Sequence, residues 1–350
     1  MTSKLLQKML KTGSAGSTTL DSADMFKETD LVSTLPIINV AYSGKVDGGF
    51  GTGLTILAGE SKTFKTALAL YCMAAYFKRY PEAIAVLYDS EGGCNPQYIK
   101  SFGIDPTRVV HVPVEHVEQL KFDFFKKLEG IEKGDKVFFM VDSIGQIASK
   151  KETDDAGDEK SVADMTRAKA IRSLLRLVTV QLNKKLLPCF MINHVYLEIG
   201  MFPKTIIPGG TAVTYAANTI FVITKAQDKT SDGDLQGWHF TLNIHKSRFV
   251  REKQKFPFTV NYESGIQFYS GMFDMAIELG ILKMVSSGWY STVEMSTGVI
   301  SDKKHRRKDI ESSKEFWDPI ISDPEFQKLV SARYRLQAPS APTDDIEESE

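Results

Sequence analysis

The sequence predicts an α/β fold with a mostly parallel central sheet, and three observations support that prediction. Short apolar runs rich in β-branched residues alternate with longer segments of helical periodicity between residues 54 and 192. The first of these runs leads directly into a loop with the spacing of a phosphate-binding loop. From about residue 219 the alternation gives way to hairpin-like β structure. Strands separated by helices form parallel sheets that helices cover on both faces.

The overall composition limits the classes of function. A chain of 350 residues can hold one large α/β domain with appendages, or two domains. The formal net charge of −1 provides no general attraction to nucleic acid, so binding of a polyanion must come from local patches. The three cysteines, Cys72, Cys94 and Cys189, lack metal-ligand spacing and indicate reduced, buried thiols in a cytosolic protein. A signal peptide and an apolar run of about 18 residues are both absent from the sequence, so neither secretion nor membrane spanning is predicted.

Residues 1–29 are predicted to form an N-terminal oligomerisation helix and a tether. Four apolar side chains recur there at helical spacing, with three lysines on the other faces: Leu5, Leu6, Met9 and Leu10. So short a helix is marginal alone and needs a partner that buries its apolar stripe. Another subunit is the favoured partner, and the helix's own domain or a membrane surface are the alternatives. Residues 12–19 are rich in Gly, Ser and Thr, which indicates a flexible tether.

The predicted core extends over residues 30–270. At its start, residues 36–53 are expected to form strand-like pieces separated by turns, and the glycines at 48–53 indicate either a hairpin or a second ligand loop. Five strands are then predicted at 54–58, 83–88, 109–114, 136–143 and 187–192. The helices between them are predicted at 66–79, 117–130 and 164–183. Hairpin-like strands are expected at 219–224, 238–246 and 256–262.

A phosphate-binding loop is predicted directly after the first core strand. Its eight residues approximate the pattern G-x-x-x-x-G-K-[ST] and are Gly59, Glu60, Ser61, Lys62, Thr63, Phe64, Lys65 and Thr66. Backbone N–H groups at the helix N-terminus would bind phosphate, Lys65 would reach the β- and γ-phosphates, and the Thr66 hydroxyl would ligate magnesium. Phe64 stands where the second glycine belongs, and a bulky residue with positive φ is strained. We therefore expect either an ordinary backbone at Phe64 or a differently bent loop.

Three further polar residues follow the ends of other predicted strands, and they are Glu91, Asp142 and His194. Ligands of a parallel sheet bind beyond the C-terminal ends of its strands, so these residues are expected near Lys65. Asp142 has the position of a Walker B carboxylate that holds magnesium through water. Glu91 is the candidate base that orients a water against the γ-phosphate. The alternative interpretation is a plain strand–turn–helix with ordinary polar residues at the strand ends.

Seven short segments combine into one pattern, and they are Gly59–Thr66, Tyr88–Glu91, Asn95–Tyr98, Val141–Ser143, Ile192–His194, Gly209–Gly210 and Asn243–Arg248. This pattern resembles that of RecA-type recombinases, and within that family the branch from T-even-like phages. The resemblance covers roughly residues 30–290 in the family's order. The combination is far more specific than any single motif. It implies a RecA-like P-loop ATPase core that uses ATP and Mg²⁺.

The resemblance also implies roles for single residues. Tyr98 would stack on adenine. Asn193 and His194 would occupy the place of the family's γ-phosphate sensor, which is usually Asn-Gln; a histidine there can still donate a hydrogen bond, but its tautomer then matters. Lys246 and Arg248 would reach the phosphates of a nucleotide held by the neighbouring subunit, as arginine fingers do.

Two long polar loops follow Asp142 and His194, and in the family such loops bind DNA along the filament axis. The candidate DNA-binding residues in and around them are Lys150, Lys151, Arg167, Lys169, Arg172, Met201, Phe202, Lys204, Gly209 and Gly210. The basic residues would neutralise phosphate, and Met201 and Phe202 would wedge between bases without reading sequence. Without the resemblance, flexible surface loops are the alternative interpretation.

The C-terminal part changes composition twice. Residues 271–337 are predicted to form a small α/β module. Within it, the basic run at 303–308 indicates either a solvated charged turn or a gathering site for duplex DNA. Residues 338–350 carry five acids and no base, which is the composition of a disordered acidic tail.

Together with these features, the resemblance implies an ATP-dependent homologous-recombination protein that forms helical filaments on single-stranded DNA and promotes homologous pairing and strand exchange in recombination, repair and recombination-dependent replication. By resemblance, its partners are single-stranded DNA, double-stranded DNA and further copies of the chain, with single-strand-binding and loader proteins as additional candidates and no membrane. It would act as a phage protein in the cytoplasm of the bacterial host. The alternatives are a ring helicase built on the same core and a nucleotide-gated DNA-binding scaffold without catalysis.

Overall fold

The computed structural model describes residues 3–12, 17–22, 31–157, 166–198, 205–229 and 232–336. Its strands, numbered along the chain, are β1 (Gly53–Gly59), β2 (Ile84–Asp89), β3 (Val109–Pro113), β4 (Val137–Asp142), β5 (Pro188–His194), β6 (Tyr196–Leu197), β7 (Thr205–Ile206), β8 (Thr219–Lys229), β9 (Leu235–Ser247), β10 (Lys255–Asn261), β11 (Gly265–Ile266), β12 (Leu282–Ser286), β13 (Trp289–Thr292) and β14 (His305–Arg306). Its α-helices are α1 (Lys4–Lys11), α2 (Pro36–Ser43), α3 (Lys65–Arg79), α4 (Pro96–Ser101), α5 (Val117–Gly130), α6 (Lys150–Gly157), α7 (Thr166–Lys185), α8 (Gly210–Ala216), α9 (Met272–Glu278), α10 (Arg307–Ile310), α11 (Lys314–Ser322) and α12 (Pro324–Tyr334).

Across the described residues, the centre of the fold is a nine-stranded sheet with the strand order β11-β10-β9-β8-β1-β5-β4-β2-β3. The strands from β8 to β3 in this order pair in parallel, and β8 to β11 pair antiparallel. The predicted α/β fold with a mostly parallel sheet is therefore confirmed. The five predicted core strands and the three helices between them are also confirmed, with ends that differ by at most two residues.

The expectation of strand-like pieces at residues 36–53 is wrong in its first half, where α2 forms. Pro36 occupies the first helical turn, a position at which its missing N–H has no helical acceptor to lose. All eight residues of α2 are buried, and the helix packs against β9 and β10. A helix that is buried on every face lacks the one-sided apolar periodicity that distinguishes it from a strand, so its local sequence is ambiguous. Tertiary burial decides the outcome.

Helices cover both faces of the sheet. Alternate residues of β4 show the two layers: Phe138 and Met140 join the core cluster with α2 and α3, whereas Phe139 and Val141 join the cluster with α5 and α7. Burial on both faces explains why these strands appear in the sequence as continuous apolar runs.

The C-terminal residues form helices α9 to α12 and a three-stranded antiparallel sheet, β12-β13-β14, in the described part of the chain. Trp317 and Phe326 are fully buried. The ring of Tyr334 lies 5.4 Å from that of Phe256 in β10, so the apolar side chains of this region continue the core cluster of the α2 face. The proposed domain limits at residues 271 and 337 stay a prediction.

Helix α1 confirms the predicted N-terminal helix, and Ser3 caps it by accepting a hydrogen bond from the Leu5 N–H. Its apolar stripe is not covered by the described part of the same chain, because Leu5 is 65% exposed and Met9 is 52% exposed. Among the helices of the described ranges, none has the length and apolar character required to cross a membrane.

Candidate active site

Four neighbouring strands of the sheet end at the candidate site. In the strand register, Gly59 at the end of β1 lies opposite His194 of β5, and Asp89 at the end of β2 lies opposite Asp142 of β4. Because parallel strands end at the same edge, the structure brings together the phosphate-loop lysine, the two predicted carboxylates and the histidine.

The loop between β1 and α3 has the shape of an anion site. Gly59 leaves no room for a side chain, since a Cβ there would lie 2.6 Å from Thr63 Oγ1 and 2.7 Å from the Ile223 carbonyl oxygen. Helix α3 is 15 residues long, and its N-cap residue, Phe64, has no side-chain acceptor for the N–H groups of the first turn. These N–H groups and the helix dipole favour an anion at this position, so the residues fit a phosphate group.

Phe64 adopts the left-handed conformation, with φ +67° and ψ 14°. Of the two alternatives expected for Phe64, the ordinary backbone is wrong, because the phenylalanine takes a conformation that usually requires glycine. Its ring packs 5.0 Å from that of Phe240 and 5.7 Å from that of Phe258. A left-handed residue other than glycine costs about 1–2 kcal/mol, and these ring contacts offset that cost.

Lys65 is buried inside the loop. Its Nζ donates to the Glu60 carbonyl oxygen at 2.5 Å and to Thr63 Oγ1 at 3.3 Å. Burial lowers the pKa of Lys65, while the nearby carboxylates of Asp142 and Glu91 oppose that shift. The Glu60 carbonyl oxygen and the Thr63 hydroxyl are neutral acceptors, so they compensate the Lys65 charge only in part. A bound phosphate would give Lys65 an anionic partner.

Asp142 and Thr66 form the other side of the anion site. Thr66 Oγ1 donates to Asp142 Oδ2 at 2.7 Å, and Asp142 Oδ1 is buried without a hydrogen-bond partner in the described residues. Burial raises the pKa of Asp142 to about 6, the Thr66 hydrogen bond opposes this shift, and the charges of Glu91 and Asp89 add to it. A buried carboxylate oxygen without a partner is costly unless a ligand satisfies it.

These residues fit a magnesium ion that accompanies a nucleotide. The described ranges contain no group of three or more His, Cys, Asp or Glu side chains that could bind a metal by themselves. Magnesium is usually held by one or two carboxylates, substrate phosphates and water, which one buried aspartate and one hydroxyl can complete.

Glu91 follows β2 and faces two hydrogen-bond donors. Ser143 Oγ donates to Glu91 Oε1 at 2.5 Å, and His194 Nε2 lies 3.0 Å from the same oxygen. Burial alone would raise the pKa of Glu91, but the hydrogen bonds from Ser143 and His194 hold it below its ordinary value. The carboxylate is therefore ionised at neutral pH, as a general base requires.

Tyr98 lies in the first turn of α4, close in sequence to Glu91. The Asn95 side chain caps this helix by accepting a hydrogen bond from the Tyr98 N–H at 2.9 Å. The tyrosine ring packs edge-on against Phe102, with centroids 5.2 Å apart, and stays partly exposed. It can offer one face to a ligand.

Lys246 and Arg248 lie at and beyond the end of β9. Lys246 Nζ donates to the carbonyl oxygens of Thr214 at 2.5 Å and Ala217 at 2.7 Å, which belong to the C-terminal end of α8. Burial and the charge of Arg248 lower the pKa of Lys246. Arg248 is exposed. Within one chain, Lys246 therefore stabilises α8, and only Arg248 is directly available to another molecule.

The predicted DNA-binding residues of the first loop differ in availability. Lys151 of α6 forms an ion pair of 3.1 Å with Asp155, and Lys150 on the same helix is exposed. Arg167 of α7 donates to the carbonyl oxygens of Gly145 at 2.6 Å and Ile147 at 2.8 Å, so it anchors the segment after β4.

Two other basic residues of α7, Lys169 and Arg172, are exposed and three positions apart, which places them on one face of the helix. In the second loop, Gly209 and Gly210 have φ of +99° and +65° at the start of α8. Met201, Phe202 and Lys204 lie outside the described residues, as does the acidic tail at 338–350.

Sequence reasoning missed three residues that contact the site. Ser143 donates to Glu91 Oε1, and Asp89 Oδ1 accepts the N–H groups of Glu91 and Gly92 at 3.0 and 2.7 Å. Lys225 of β8 donates to the Lys62 carbonyl oxygen in the phosphate loop at 3.2 Å. Asp89 and Ser143 lie inside the recognised segments Tyr88–Glu91 and Val141–Ser143, which was an available signal, although neither residue was assigned a role. For Lys225 the sequence offered none, because its partner lies far away along the chain.

Comparison with known proteins agrees with this geometry. A family profile described as the RecA N-terminal domain matches residues 10–267, which is more than half of the chain. The chain belongs to the RecA family. A second profile, described as the C-terminal domain of the recombination and repair protein of bacteriophage T4, matches residues 269–330.

Individual RecA-family relatives extend over most of the chain. The "Recombination and repair protein" of Enterobacteria phage T4 is 43% identical over 342 residues, which are 96% of this chain and 87% of that protein. "Protein RecA" of Aquifex aeolicus is 26% identical over 294 residues, which are 83% of this chain and 82% of that protein. "Protein RecA" of Chlorobaculum tepidum is 26% identical over 269 residues, 75% of each chain. The predicted resemblance to the phage branch of RecA-type proteins is therefore confirmed. Membership of this family implies nucleotide binding.

Proposed function

We propose that this chain is an ATP-dependent homologous-recombination protein. It forms helical filaments on single-stranded DNA, pairs that strand with homologous duplex and exchanges strands, in recombination, repair and recombination-dependent replication. The meeting of Lys65, Asp142 and Glu91 at one edge of the sheet carries this proposal, in a chain 43% identical to a protein named for recombination and repair.

ATP and Mg²⁺ are the cofactors that the anion site would hold. The phosphates would enter the loop over Gly59 and receive hydrogen bonds from the first turn of α3 and from Lys65. Thr66 and Asp142 would hold magnesium, with the unpartnered Asp142 Oδ1 as an acceptor for a metal-bound water. The ion supplies charge neutralisation at the β- and γ-phosphates when it is bound.

Turnover depends on the groups around Glu91. Its Oε1 is engaged by Ser143 and His194, so Oε2 is the oxygen that orients the attacking water. His194 would serve as the γ-phosphate sensor by exchanging Glu91 Oε1 for a phosphate oxygen. Tyr98 would stack on the adenine ring with its open face.

Assembly of the filament would use helix α1 and the residues at the end of β9. Lys246 and Arg248 would reach the phosphates of a nucleotide on the adjacent subunit. For Lys246 this requires exchange of the α8 carbonyl oxygens for phosphate. The exposed stripe of α1, with Leu5 and Met9, would dock on another copy of the chain, because it has no cover within its own described residues.

DNA would bind along the two loops that follow Asp142 and His194. Lys169 and Arg172, both exposed on one face of α7, and Lys150 of α6 would contribute phosphate contacts. Lys151 would first have to leave Asp155, and Arg167 would act by holding the loop through its carbonyl contacts. Gly209 and Gly210 would let the backbone approach the DNA, with Met201, Phe202 and Lys204 as further contacts outside the described residues.

Duplex DNA would be gathered by the basic run at 303–308, although Arg307 is already paired with Asp274 and Glu311. Single-strand-binding and loader proteins are additional candidate partners, and the host cytoplasm is the expected compartment. A ring helicase and a nucleotide-gated scaffold without catalysis are the competing functions.

Electron microscopy of the protein with ATP, Mg²⁺ and single-stranded DNA separates these functions. Open helical filaments are expected, and closed rings would favour the helicase. A strand-exchange assay with the same mixture then distinguishes a recombinase from a scaffold. Filaments that form in response to ATP but never exchange strands would contradict the proposed recombinase.

A further inference from the structure

Ser143 directly follows the end of β4 and is fully buried beneath the candidate site. A serine hydroxyl has one proton to donate. The Ser143 hydroxyl donates its hydrogen bond to the Glu91 carboxylate, with an Oγ–Oε1 distance of 2.5 Å. A hydrogen bond from a buried hydroxyl to an ionised carboxylate is stronger than one between neutral groups.

The two donors on Glu91 approach the same oxygen. Ser143 Oγ and His194 Nε2 both contact Oε1, at 2.5 and 3.0 Å. Ser143 is fully buried, whereas the His194 side chain is 28% exposed. Ser143 is therefore the donor whose position is set by packing, and His194 is the one with room to move.

The backbone around this contact is held as well. The Ser90 N–H donates to the Asp142 carbonyl oxygen at 2.8 Å, and Ser90 Oγ accepts from the Ser143 N–H at 3.0 Å. Asp89 Oδ1 accepts the Glu91 N–H at 3.0 Å. The two Ser90 contacts join the ends of β2 and β4, and the Asp89 contact holds the turn at Glu91, so the main chain at Glu91 is tied to the segment that carries the Ser143 hydroxyl.

We propose that Ser143 is a positioning residue for the base of ATP hydrolysis. By holding Oε1 it turns Oε2 of Glu91 towards the γ-phosphate water, and it maintains this orientation when His194 leaves Glu91 for the phosphate. This inference rests on the proposed function, in which Glu91 is the base. It assigns to Ser143 an effect on the rate of hydrolysis and none on the binding of nucleotide.

The test compares Ser143→Ala with Ser291→Ala in the full-length protein. Ser291 is also a buried serine, but it lies in β13, remote from the site, and controls for the loss of a buried hydroxyl. Steady-state ATP hydrolysis on single-stranded DNA yields kcat, and a fluorescent ATP analogue yields Kd. We expect Ser143→Ala to lower kcat by about tenfold or more, the effect of losing a hydrogen bond to a charged group, with Kd within about twofold of wild type.

Ser143→Cys guards against a failure of Ser143→Ala to fold, because a thiol fills the site and is only a weak donor. It should also lose kcat while Kd stays unchanged. If either folded variant hydrolyses ATP as fast as Ser291→Ala, the positioning role is wrong.

A double-variant cycle identifies the route of the effect. If Ser143 acts only through Glu91, Ser143→Ala should slow the wild type and leave the residual rate of Glu91→Gln unchanged. An equal slowing in both backgrounds would show that Ser143 acts by another route and would overturn the inference. Normal turnover by Glu91→Gln alone would instead contradict the assignment of Glu91 in the proposed function. The two failures are therefore distinguishable.

Discussion

The rings of Phe64 and Phe240 lie 5.0 Å apart with their planes inclined by 31°. This contact joins the phosphate loop to β9, in the antiparallel part of the sheet. Lys225 of β8 makes a second connection by donating to the Lys62 carbonyl oxygen at 3.2 Å. The conformation of the loop therefore depends on the antiparallel strands as well as on its own sequence. Strand β9 also carries Lys246, so the loop and the proposed interface residue share one structural support.

The Phe64 contact predicts an unusual order of stability among variants. Phe64→Ala and Phe64→Gly both lose the ring contacts and should be less stable than wild type by about 1–3 kcal/mol. Glycine adopts φ +67° without strain, so Phe64→Gly should be the more stable of the two by up to about 1 kcal/mol. Chemical denaturation measures both free energies of unfolding.

The matched control for that order is Phe122 on the exposed face of α5, where the backbone is helical. At this position the free energy of unfolding of Phe122→Ala should exceed that of Phe122→Gly by about 1 kcal/mol. Suppose that the free energy of unfolding of Phe64→Ala exceeds that of Phe64→Gly by as much as the alanine variant exceeds the glycine variant at Phe122. Strain at Phe64 would then make no contribution to stability.

Nucleotide binding and turnover should separate in two variants. Lys65→Ala removes the buried cation of the anion site and should abolish nucleotide-dependent DNA binding. Glu91→Gln keeps the shape of the site, so it should retain ATP binding and lose turnover by about a hundredfold or more. Filter binding and steady-state ATPase measure the two effects. An ATPase rate of Glu91→Gln within about threefold of wild type would exclude Glu91 as the base.

The ionised side chain of Asp142 should lower the free energy of unfolding of the nucleotide-free protein. Its pKa in the folded state is raised to about 6, above the ordinary value of 3.8, mainly by burial. A raised carboxyl pKa means that folding favours the protonated form, so the free energy of unfolding falls as pH rises through about 6. Asp142→Asn carries no charge and should be more stable than wild type by about 1–3 kcal/mol at pH about 7.5.

The stability gained by Asp142→Asn over wild type should be smaller at a pH of about 5, where Asp142 is protonated in the folded protein. Thermal unfolding without nucleotide or magnesium, at both pH values, measures it. Asp302→Asn, at an exposed position, serves as the control. A gain in stability that is equal at both pH values would contradict the explanation from buried charge.

The exposed stripe of α1 predicts an effect on assembly alone. Deletion of residues 1–19 removes the stripe of Leu5 and Met9, which the described core does not cover, and should leave a soluble, folded monomer. Light scattering during size-exclusion chromatography measures the oligomeric state. Lys8→Ala, on another face of the helix, should assemble as wild type does. Unchanged oligomers after the deletion would rule out docking through this helix.

Much of the fold and of the site could be predicted from the sequence, because its signals are local. Alternation of apolar runs and helical periods determined the five core strands and their order along the chain. Motif spacing placed Lys65 and Thr66 at the start of α3 and Asp142 at the end of β4. The rule that parallel strands end at one edge then predicted that Glu91 and His194 meet there, and their side chains do lie 3.0 Å apart.

Only the tertiary structure decided the features that depend on contacts between distant segments. The apolar segment of α2 became a helix through burial against β9 and β10, and Phe64 took the left-handed conformation beside Phe240 and Phe258. The partners of Lys246 were equally invisible, since its hydrogen bonds reach the carbonyl oxygens of Thr214 and Ala217, which lie 32 and 29 positions away along the chain. Local sequence determines backbone preferences worth fractions of a kcal/mol per residue. Burial of whole side chains contributes several times more, so packing decides wherever the two disagree.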